Sequence, residues 1–390
     1  MGRDKEILVA GGGIGGIATA LMLGKQGRAV RVLERAPEFG EIGYGLQLGP
    51  NAYRMLQALG IADRLSERAV FPKHLVMLDA IDGREITRMD LGDAFTAHYG
   101  SPYSVMHRSD LHAILLEECR KLGNVQLETR RELLSFSQSE AGVTVECQGG
   151  ERYEADALIG ADGLRSRVRA AIIGDGAPRR AGQVAYRGVV PVEQIEDRDH
   201  LDAVVVWVGH NMHVVQYRLR GGSIMNTVAV VESEAFRNGL VETIGPDELA
   251  SIFEQAVPQV RRLLSFVDKT RHWVLQDRDP KPGWTQVRVT LLGDAAHPTL
   301  QYLAQGACMA LEDAVMLARE ARDVPSIHEA FAAYEQKRYL HTARVQLTSR
   351  FFCGVCHAGG GARDLRNGLL RNRSHRQYGE VDWLYRGLSV

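Results

Sequence analysis

A strand, a glycine-rich turn and a helix open the chain, and they constrain its fold more than any other feature. The apolar run 7–10 leads into Gly11, Gly13 and Gly16, which stand at the spacing G-x-G-x-x-G before an Ala/Leu-rich segment. The first glycine allows a tight turn, the second lets the backbone approach a pyrophosphate, and the third lets the helix lie close to the strand. Because a helix N-terminus also attracts anions, this segment predicts a dinucleotide site.

An acidic residue ends the next predicted strand, 29–34. A carboxylate at this distance, here Glu34, receives the ribose hydroxyls of an adenosine that lacks a 2′-phosphate. We place the neighbouring Arg35 in the same predicted cofactor-binding set. A ligand-free turn would account for the glycines alone, but the strand, the helix and the acid together favour binding.

Length and charge exclude several classes of protein. A chain of 390 residues is long enough for two closely packed domains, and its net charge of −1 gives no reason to expect nucleic acid. The charged start, 1–6, does not resemble a secretory signal, and no apolar stretch reaches the roughly 18 residues of a membrane helix. We therefore expect a cytoplasmic protein without transmembrane segments.

The five cysteines are an odd number, which favours reduced thiols over a disulfide framework. Cys353 and Cys356 form a C-x-x-C pair beside His357, a spacing that zinc sites also use. No second ligand pair follows it, so we expect ordinary buried thiols and no metal.

Strand patterns indicate a second domain inserted into the first. Residues 74–91 alternate around an Asp82-Gly83 turn, and further strands are predicted at 184–192, 203–209, 212–219 and 224–231. The predicted fold is α/β: a Rossmann-like domain, an inserted antiparallel β-sheet domain and a C-terminal helical region. The expected division is dinucleotide-binding domain 1–73, 101–182 and 285–340, substrate domain 74–100 and 183–284, and C-terminal helical segment 341–390.

Three motifs, in this order, resemble those of the FAD-dependent group A aromatic monooxygenases. They are the glycine turn, Asp162-Gly163 after a buried strand, and Gly293-Asp294 before Ala295-Ala296-His297-Pro298. The resemblance covers almost the whole chain and implies FAD as cofactor, with NADH and O2 as co-substrates. Since no cysteine or histidine follows a flavin-linkage pattern, we expect the FAD to be non-covalent.

The resemblance also assigns roles to single residues. Glu34 would bind ribose, Asp162 would help to fix the cofactor geometry, and Asp294 would bind the ribityl chain. Gln47 and Arg108 would lie along the flavin. A helix that begins near Ala307 would face the pyrimidine edge, where negative charge develops on reduction.

Within this family the chain resembles the 3-hydroxybenzoate 6-hydroxylases. The likeness rests on Pro298-x-x-Gln301-Tyr302-x-x-Gln305-Gly306, together with His213 and Tyr217. Thr299 departs from the pattern, which would have a second proline there. The implied reaction uses a flavin hydroperoxide to convert 3-hydroxybenzoate to 2,5-dihydroxybenzoate.

A phenol ionises near pH 10, so this reaction needs a base at neutral pH. We predict that His213 is that base, that Gln301 hydrogen-bonds the same oxygen, and that Tyr217 orients the ring or its carboxylate. The two-residue period of a strand places His213 and Tyr217 on one face. Plain sheet packing would also explain both residues, and Gln301 could simply cap a turn.

Alternatives remain open at this point. They are a hydroxylase of salicylate or of another phenolic or hydroxypyridine acid, an oxidase or dehydrogenase on the same fold, and a flavin-binding protein without turnover. The basic C-terminal tail indicates a solvated face or a subunit contact, and we expect a homodimer.

Overall fold

The computed structural model describes residues 6–40, 43–196, 198–239, 244–323 and 326–387. The strands are β1 Ile7–Ala10, β2 Val30–Leu33, β3 Gly45–Leu48, β4 His74–Asp79, β5 Glu85–Asp90, β6 Ser104–His107, β7 Val125–Glu128, β8 Leu133–Ser139, β9 Gly142–Cys147, β10 Arg152–Ala155, β11 Ala157–Gly160, β12 Arg179–Pro191, β13 Ala203–Gly209, β14 Met212–Leu219, β15 Ile224–Glu232, β16 His272–Asp277 and β17 Val289–Leu291.

The helices lie between these strands and after them. They are α1 Ile14–Lys25, α2 Pro50–Ala58, α3 Ala62–Ser66, α4 Asp93–Tyr99, α5 Arg108–Arg120, α6 Arg167–Ile172, α7 Glu234–Arg237, α8 Pro246–Ile252, α9 Pro258–Leu263, α10 Gly306–Asp323, α11 Ile327–Cys356, α12 Gly360–Arg371 and α13 Asp382–Tyr385. Within the described ranges, no helix combines the length and apolar character needed to cross a membrane.

A five-stranded parallel sheet forms the first layer, in the order β17-β11-β1-β2-β7. Its central strands are buried on both faces, as their continuous apolar sequence requires, and α1 packs against α10 on one side. The predicted Rossmann-like fold is confirmed. The three sequence motifs follow β1, β11 and β17, which are neighbours, so all three meet at one edge of this sheet.

A seven-stranded sheet forms the second layer, in the order β16-β12-β15-β14-β13-β4-β5. The predicted antiparallel sheet is confirmed for β12 to β16 and for the β4–β5 hairpin. One pair differs, because β13 and β4 are parallel. These two strands come from separate parts of the chain, so no tight turn forces them to be antiparallel.

A buried ionic cluster holds the end of the parallel sheet to the long helices. Arg338 donates to Asp313 at 2.7 Å and to Glu312 at 2.8 Å, while His297 contacts Asp313 at 2.6 Å. The Arg338 and Asp313 side chains are fully buried. This pairing compensates the charges and fixes the loop after β17 against α10 and α11.

Hydrogen bonds to buried Asp79 attach the C-terminal segment to the second sheet. Asp79, at the end of β4, accepts hydrogen bonds from Arg363 at 2.8 Å and from Asn367 at 2.7 Å, both on α12. Helix α11 is continuous across residue 340, where the sequence places a domain boundary. The division into domains therefore stays a prediction.

Candidate active site between the two sheets

One cavity of about 860 Å³ extends from the glycine turn to the face of the second sheet. It brings together most of the residues selected from the sequence. Those that line it are Gly13, Gly16, Gln47, Arg108, His213, Tyr217, Asp294, Gln301 and Ala307. Gly11, Glu34, Arg35 and Asp162 lie outside this lining.

The glycine turn packs too closely to carry side chains. Gly11 has a φ of +111°, and a Cβ there would lie 2.2 Å from the carbonyl oxygen of Ala161. Helix α1 then begins after Gly13, with no acidic side chain in its first turn. Its free amides and positive dipole end face the cavity, which suits a pyrophosphate.

Glu34 lies beside this turn, at the carboxyl end of β2. Its Oε2 accepts a hydrogen bond from the amide of Gly12 at 2.7 Å, and its Oε1 accepts one from Ala36 at 2.8 Å. Each carboxylate oxygen keeps further acceptor capacity, so a ribose hydroxyl can still donate to it. Arg35 is exposed on the adjacent surface.

Asp162 caps a helix, a role that the sequence does not indicate. Its Oδ2 accepts from the amides of Arg167 at 2.8 Å and Val168 at 3.3 Å, which caps the start of α6. Burial raises the pKa of Asp162, and its Oδ1 has no hydrogen-bond partner among the described residues. The proposed effect on cofactor geometry would therefore act through the position of α6.

Asp294 and Ala307 bracket the loop that follows β17. Asp294 is exposed toward the cavity at the carboxyl end of that strand, and Ala307 stands in the first turn of the 18-residue helix α10. A second helix N-terminus thus lines the cavity, beside the one of α1.

His213 lies on the cavity face of β14 and is almost completely buried, with 3 % of its surface exposed. Its Nδ1 is 2.7 Å from Nε2 of His357, and its ring packs against Tyr302 at 5.1 Å between centroids. Burial, with a smaller contribution from His357, holds the pKa of His213 well below its usual range. His213 is therefore neutral at pH 7, and one nitrogen of its imidazole is unprotonated.

Tyr217 lies four residues along the same strand and the same face. Its ring lies against the backbone of Gly45, where a Cβ would be 2.4 Å from the phenol oxygen. Burial raises the pKa of Tyr217, so the group stays a neutral hydrogen-bonding phenol. Gln47, the neighbouring cavity residue, accepts a hydrogen bond from Tyr103 at 2.7 Å.

Gln301 is oriented by an arginine that the sequence analysis did not select. Nη2 of Arg187 donates to Oε1 of Gln301 at 2.9 Å. Arg187 is itself placed by the rings of Tyr44 and Trp273, whose centroids lie 5.7 and 5.8 Å from its guanidinium carbon. With its carbonyl occupied, the amide of Gln301 is left as a hydrogen-bond donor in the cavity.

The residues present fit an FAD molecule. The glycine turn and α1 match a pyrophosphate, Glu34 matches a ribose, and Asp294 with the α10 terminus matches the ribityl and pyrimidine end. The cavity that these residues line also contains His213, so the same space would hold the cofactor and reach this histidine.

Arg187 and His357 lie in the site, although the sequence alone does not single them out. Arg187 stands in a strand between apolar residues, an interruption that could have marked it as a cavity residue. In the sequence, His357 stands out only as a neighbour of Cys356 and Cys353. Nothing in the local sequence connects it to His213, which is 144 residues away.

A family model described as "FAD binding domain" matches residues 4–346. Among curated relatives, a 3-hydroxybenzoate 6-hydroxylase of Polaromonas naphthalenivorans is 44 % identical, with 98 % of this chain and 96 % of the relative covered. A 3-hydroxybenzoate 6-hydroxylase of Klebsiella oxytoca is 41 % identical over 99 % and 97 %. A 6-hydroxynicotinate 3-monooxygenase of Bordetella bronchiseptica is 34 % identical over 88 % and 90 %.

Solved structures resemble the whole chain. Klebsiella pneumoniae HpxO, complexed with FAD and uric acid, matches with a TM-score of 0.86 and 25 % identity, covering 98 % of this chain and 97 % of that one. A salicylate hydroxylase substrate complex matches with a TM-score of 0.79 and 25 % identity, covering 98 % and 95 %.

Proposed function

Because this chain belongs to the FAD-binding-domain family of flavoprotein monooxygenases, we propose that it hydroxylates 3-hydroxybenzoate at carbon 6, giving 2,5-dihydroxybenzoate (gentisate). The enzyme uses FAD as its cofactor, with NADH and O2 as co-substrates. The observation that carries the proposal is the placement of His213, Tyr217 and Gln301 on one cavity that also reaches the glycine turn.

When bound, FAD reduced by NADH supplies the electrophilic oxygen atom derived from O2. A benzene ring needs electron release before such an oxygen can attack it, and a phenolate provides that release. His213 accepts the phenol proton, because its imidazole is neutral and lines the cavity. The electron density of the phenolate is greatest at the ortho and para carbons. In 3-hydroxybenzoate, carbon 6 is para to the oxygen.

Gln301 stabilises the charge that develops on that oxygen. Arg187 holds the amide carbonyl, so the amide nitrogen is the group that can donate to a phenolate. Tyr217 orients the ring or its carboxylate from the same face of β14.

The cavity also favours an acid over a neutral phenol. Arg108 and Arg187 both line it, and Nε of Arg187 is buried without a hydrogen-bond partner among the described residues. A buried cation is stabilised by an anionic ligand. This agrees with an aromatic carboxylate as substrate and an electron-rich ring as its reacting part.

We also propose that the protein is a homodimer. Helices α11 and α12 expose Leu340, Leu347, Phe351, Leu365 and Leu369, each more than half exposed. The spacing along each helix puts these residues on one side of that helix, and exposed apolar side chains of this kind are commonly covered at subunit interfaces. Size-exclusion chromatography with light scattering tests this, and a monomeric mass would contradict it.

Product analysis with a panel of hydroxybenzoates tests the substrate. We expect 3-hydroxybenzoate to stimulate NADH oxidation and to yield 2,5-dihydroxybenzoate as the only dihydroxy product. Salicylate is the matched control, since it carries the same groups with the hydroxyl one carbon away. Conversion of salicylate but not of 3-hydroxybenzoate would favour the salicylate hydroxylase alternative. Stimulated NADH oxidation without any oxygenated product would favour an oxidase.

A further inference from the structure

His213 is the first of three groups that connect the cavity to the protein surface. Its Nδ1 is 2.7 Å from Nε2 of His357, and Nδ1 of His357 is 3.0 Å from Oε2 of Glu232. Glu232 in turn forms an ion pair with Arg237. The exposed fraction of the side chains rises outward, from 3 % at His357 to 11 % at Glu232 and 53 % at Arg237.

The direction of these hydrogen bonds follows from the carboxylate. An ionised Glu232 can only accept, so His357 must carry its proton on Nδ1. Nε2 of His357 is then an acceptor, which requires the proton of His213 to be on Nδ1. The remaining nitrogen of His213, Nε2, is left unprotonated as a base. One carboxylate thus fixes the tautomer of two imidazoles, the arrangement by which a third group orients a catalytic base.

We propose that Glu232 and His357 are positioning residues which keep Nε2 of His213 free to accept the phenol proton and which conduct that proton to solvent. The proposal rests on the function proposed above, since it needs a phenolic substrate beside His213.

Along His213, His357 and Glu232, each proton that one group gains is matched by a proton that it passes on. The phenol O–H bond breaks and an N–H bond forms at Nε2 of His213. The proton on Nδ1 of His213 passes to Nε2 of His357, and the proton on Nδ1 of His357 passes to Glu232. Glu232 then releases a proton to water. Each imidazole ends neutral in its other tautomer, and the reverse transfers reset it when the product phenolate is reprotonated from solvent.

Burial explains why the proton passes along three hydrogen-bonded groups and does not stay on one charged histidine. Burial lowers the pKa of His357 to about 3, with smaller effects from His210 and Arg237. His213 has a lowered pKa as well, so a lasting imidazolium is unfavourable in either position. Tyr302 and Cys353, which lie beside the pair, both have raised pKa values and are neutral at pH 7. A concerted transfer avoids a buried positive charge.

The same region could be interpreted as a metal site, because Glu232, Cys353 and His357 offer ligand atoms within 4.8 Å of one another. Two observations favour the proton chain. Glu232 is already paired with the guanidinium of Arg237, and burial raises the pKa of the Cys353 thiol, which disfavours the thiolate that a metal needs.

The test compares His357→Phe and Glu232→Gln with wild type and with His213→Ala, all as FAD-loaded enzymes. Glu232→Gln keeps an acceptor for His357 but cannot take a proton, so it separates conduction from packing. Cys353→Ser is the matched control, because it changes the same cluster outside the chain. The readouts are flavin content, KM for 3-hydroxybenzoate, hydroxylation rate and product formed per NADH consumed.

We expect His357→Phe and Glu232→Gln to have the flavin content and the KM of wild type. Both should hydroxylate about 10-fold to 10²-fold more slowly, with uncoupled NADH oxidation. With a fluorinated 3-hydroxybenzoate, whose phenol is more acidic, the deficit should shrink to about 3-fold or less, since proton removal is then easier. A purely structural defect would slow both substrates equally. Cys353→Ser should match wild type throughout.

The proposal is overturned if Glu232→Gln and His357→Phe, at wild-type flavin content, hydroxylate at the wild-type rate and remain coupled. It is also overturned if their deficit is the same for both phenols. Should His357→Phe lose flavin through misfolding, Glu232→Gln decides. Failure of the proposed function is distinct, because wild type itself would then form no dihydroxy product from 3-hydroxybenzoate.

Discussion

Arg187 and Gln301 form a hydrogen bond of 2.9 Å in which the guanidinium donates to the side-chain carbonyl. The two residues are 114 positions apart, in β12 and in the loop before α10. This contact decides which end of the Gln301 amide is held by Arg187 and which end is left for the cavity. The amide nitrogen of Gln301 is then left as a donor, which under the proposed function would face the oxygen that becomes negative.

Gln301→Glu tests that orientation. The carboxylate would still accept from Arg187, but it would present a second acceptor in place of the donor. We expect hydroxylation of 3-hydroxybenzoate to slow by about 10²-fold, a usual loss for one donor to a developing oxyanion. Flavin content should not change. Rapid-mixing measurements of product formation check this, and a rate equal to that of wild type would show that Gln301 does not contact the oxygen.

Asp294→Ala addresses the cofactor. A carboxylate that accepts from the ribityl hydroxyls contributes about 1.5–3 kcal/mol, so the dissociation constant for FAD should rise by about 10-fold to 10²-fold. Fluorescence titration of the apoenzyme with FAD measures this. Asp294→Asn is the control, because it keeps an acceptor and should lose less. Equal FAD affinity in all three proteins would remove Asp294 from the binding site.

Asp79 makes stability depend on pH. Burial alone would raise the pKa of this carboxyl, but hydrogen bonds from Arg363 and Asn367 outweigh it and hold the pKa at about 2. The folded pKa is below the unfolded value of about 3.9, so the stabilisation is present above about pH 4 and is lost as the pH falls toward 2.

Asp79→Asn should therefore lower the free energy of unfolding by about 2–3 kcal/mol at pH 7, because Arg363 loses its anionic partner. The difference from wild type should shrink as the pH approaches 2. Urea unfolding at several pH values, followed by tryptophan fluorescence, checks both statements. A difference that stays constant from pH 7 to pH 3 would show that the ion pair does not carry the effect.

Local patterns predicted much of this molecule. The glycine turn, Glu34 and the alternation of β14 are short-range features, so strand, helix and the shared face of His213 and Tyr217 could be read directly. The parallel pairing of β4 with β13 could not, because alternation is the same in parallel and antiparallel strands.

Contacts between residues that are far apart in the sequence could not be predicted either. His357 was interpreted as part of a C-x-x-C segment of ordinary thiols, whereas its ring contacts His213. Arg187 reaches Gln301 only through the packing of Tyr44 and Trp273. Such contacts depend on how the strands, loops and helices pack against one another. The pattern of residues within a single strand or helix does not contain that information.

The yield of 2,5-dihydroxybenzoate per NADH consumed, measured in parallel for wild type and His213→Ala, tests the central claim most directly. We predict a yield close to one for wild type. For His213→Ala we predict normal FAD content, hydroxylation slowed by about 10²-fold or more, and hydrogen peroxide in place of product. A His213→Ala enzyme that remains fully coupled at the wild-type rate would contradict the role of His213 as the base.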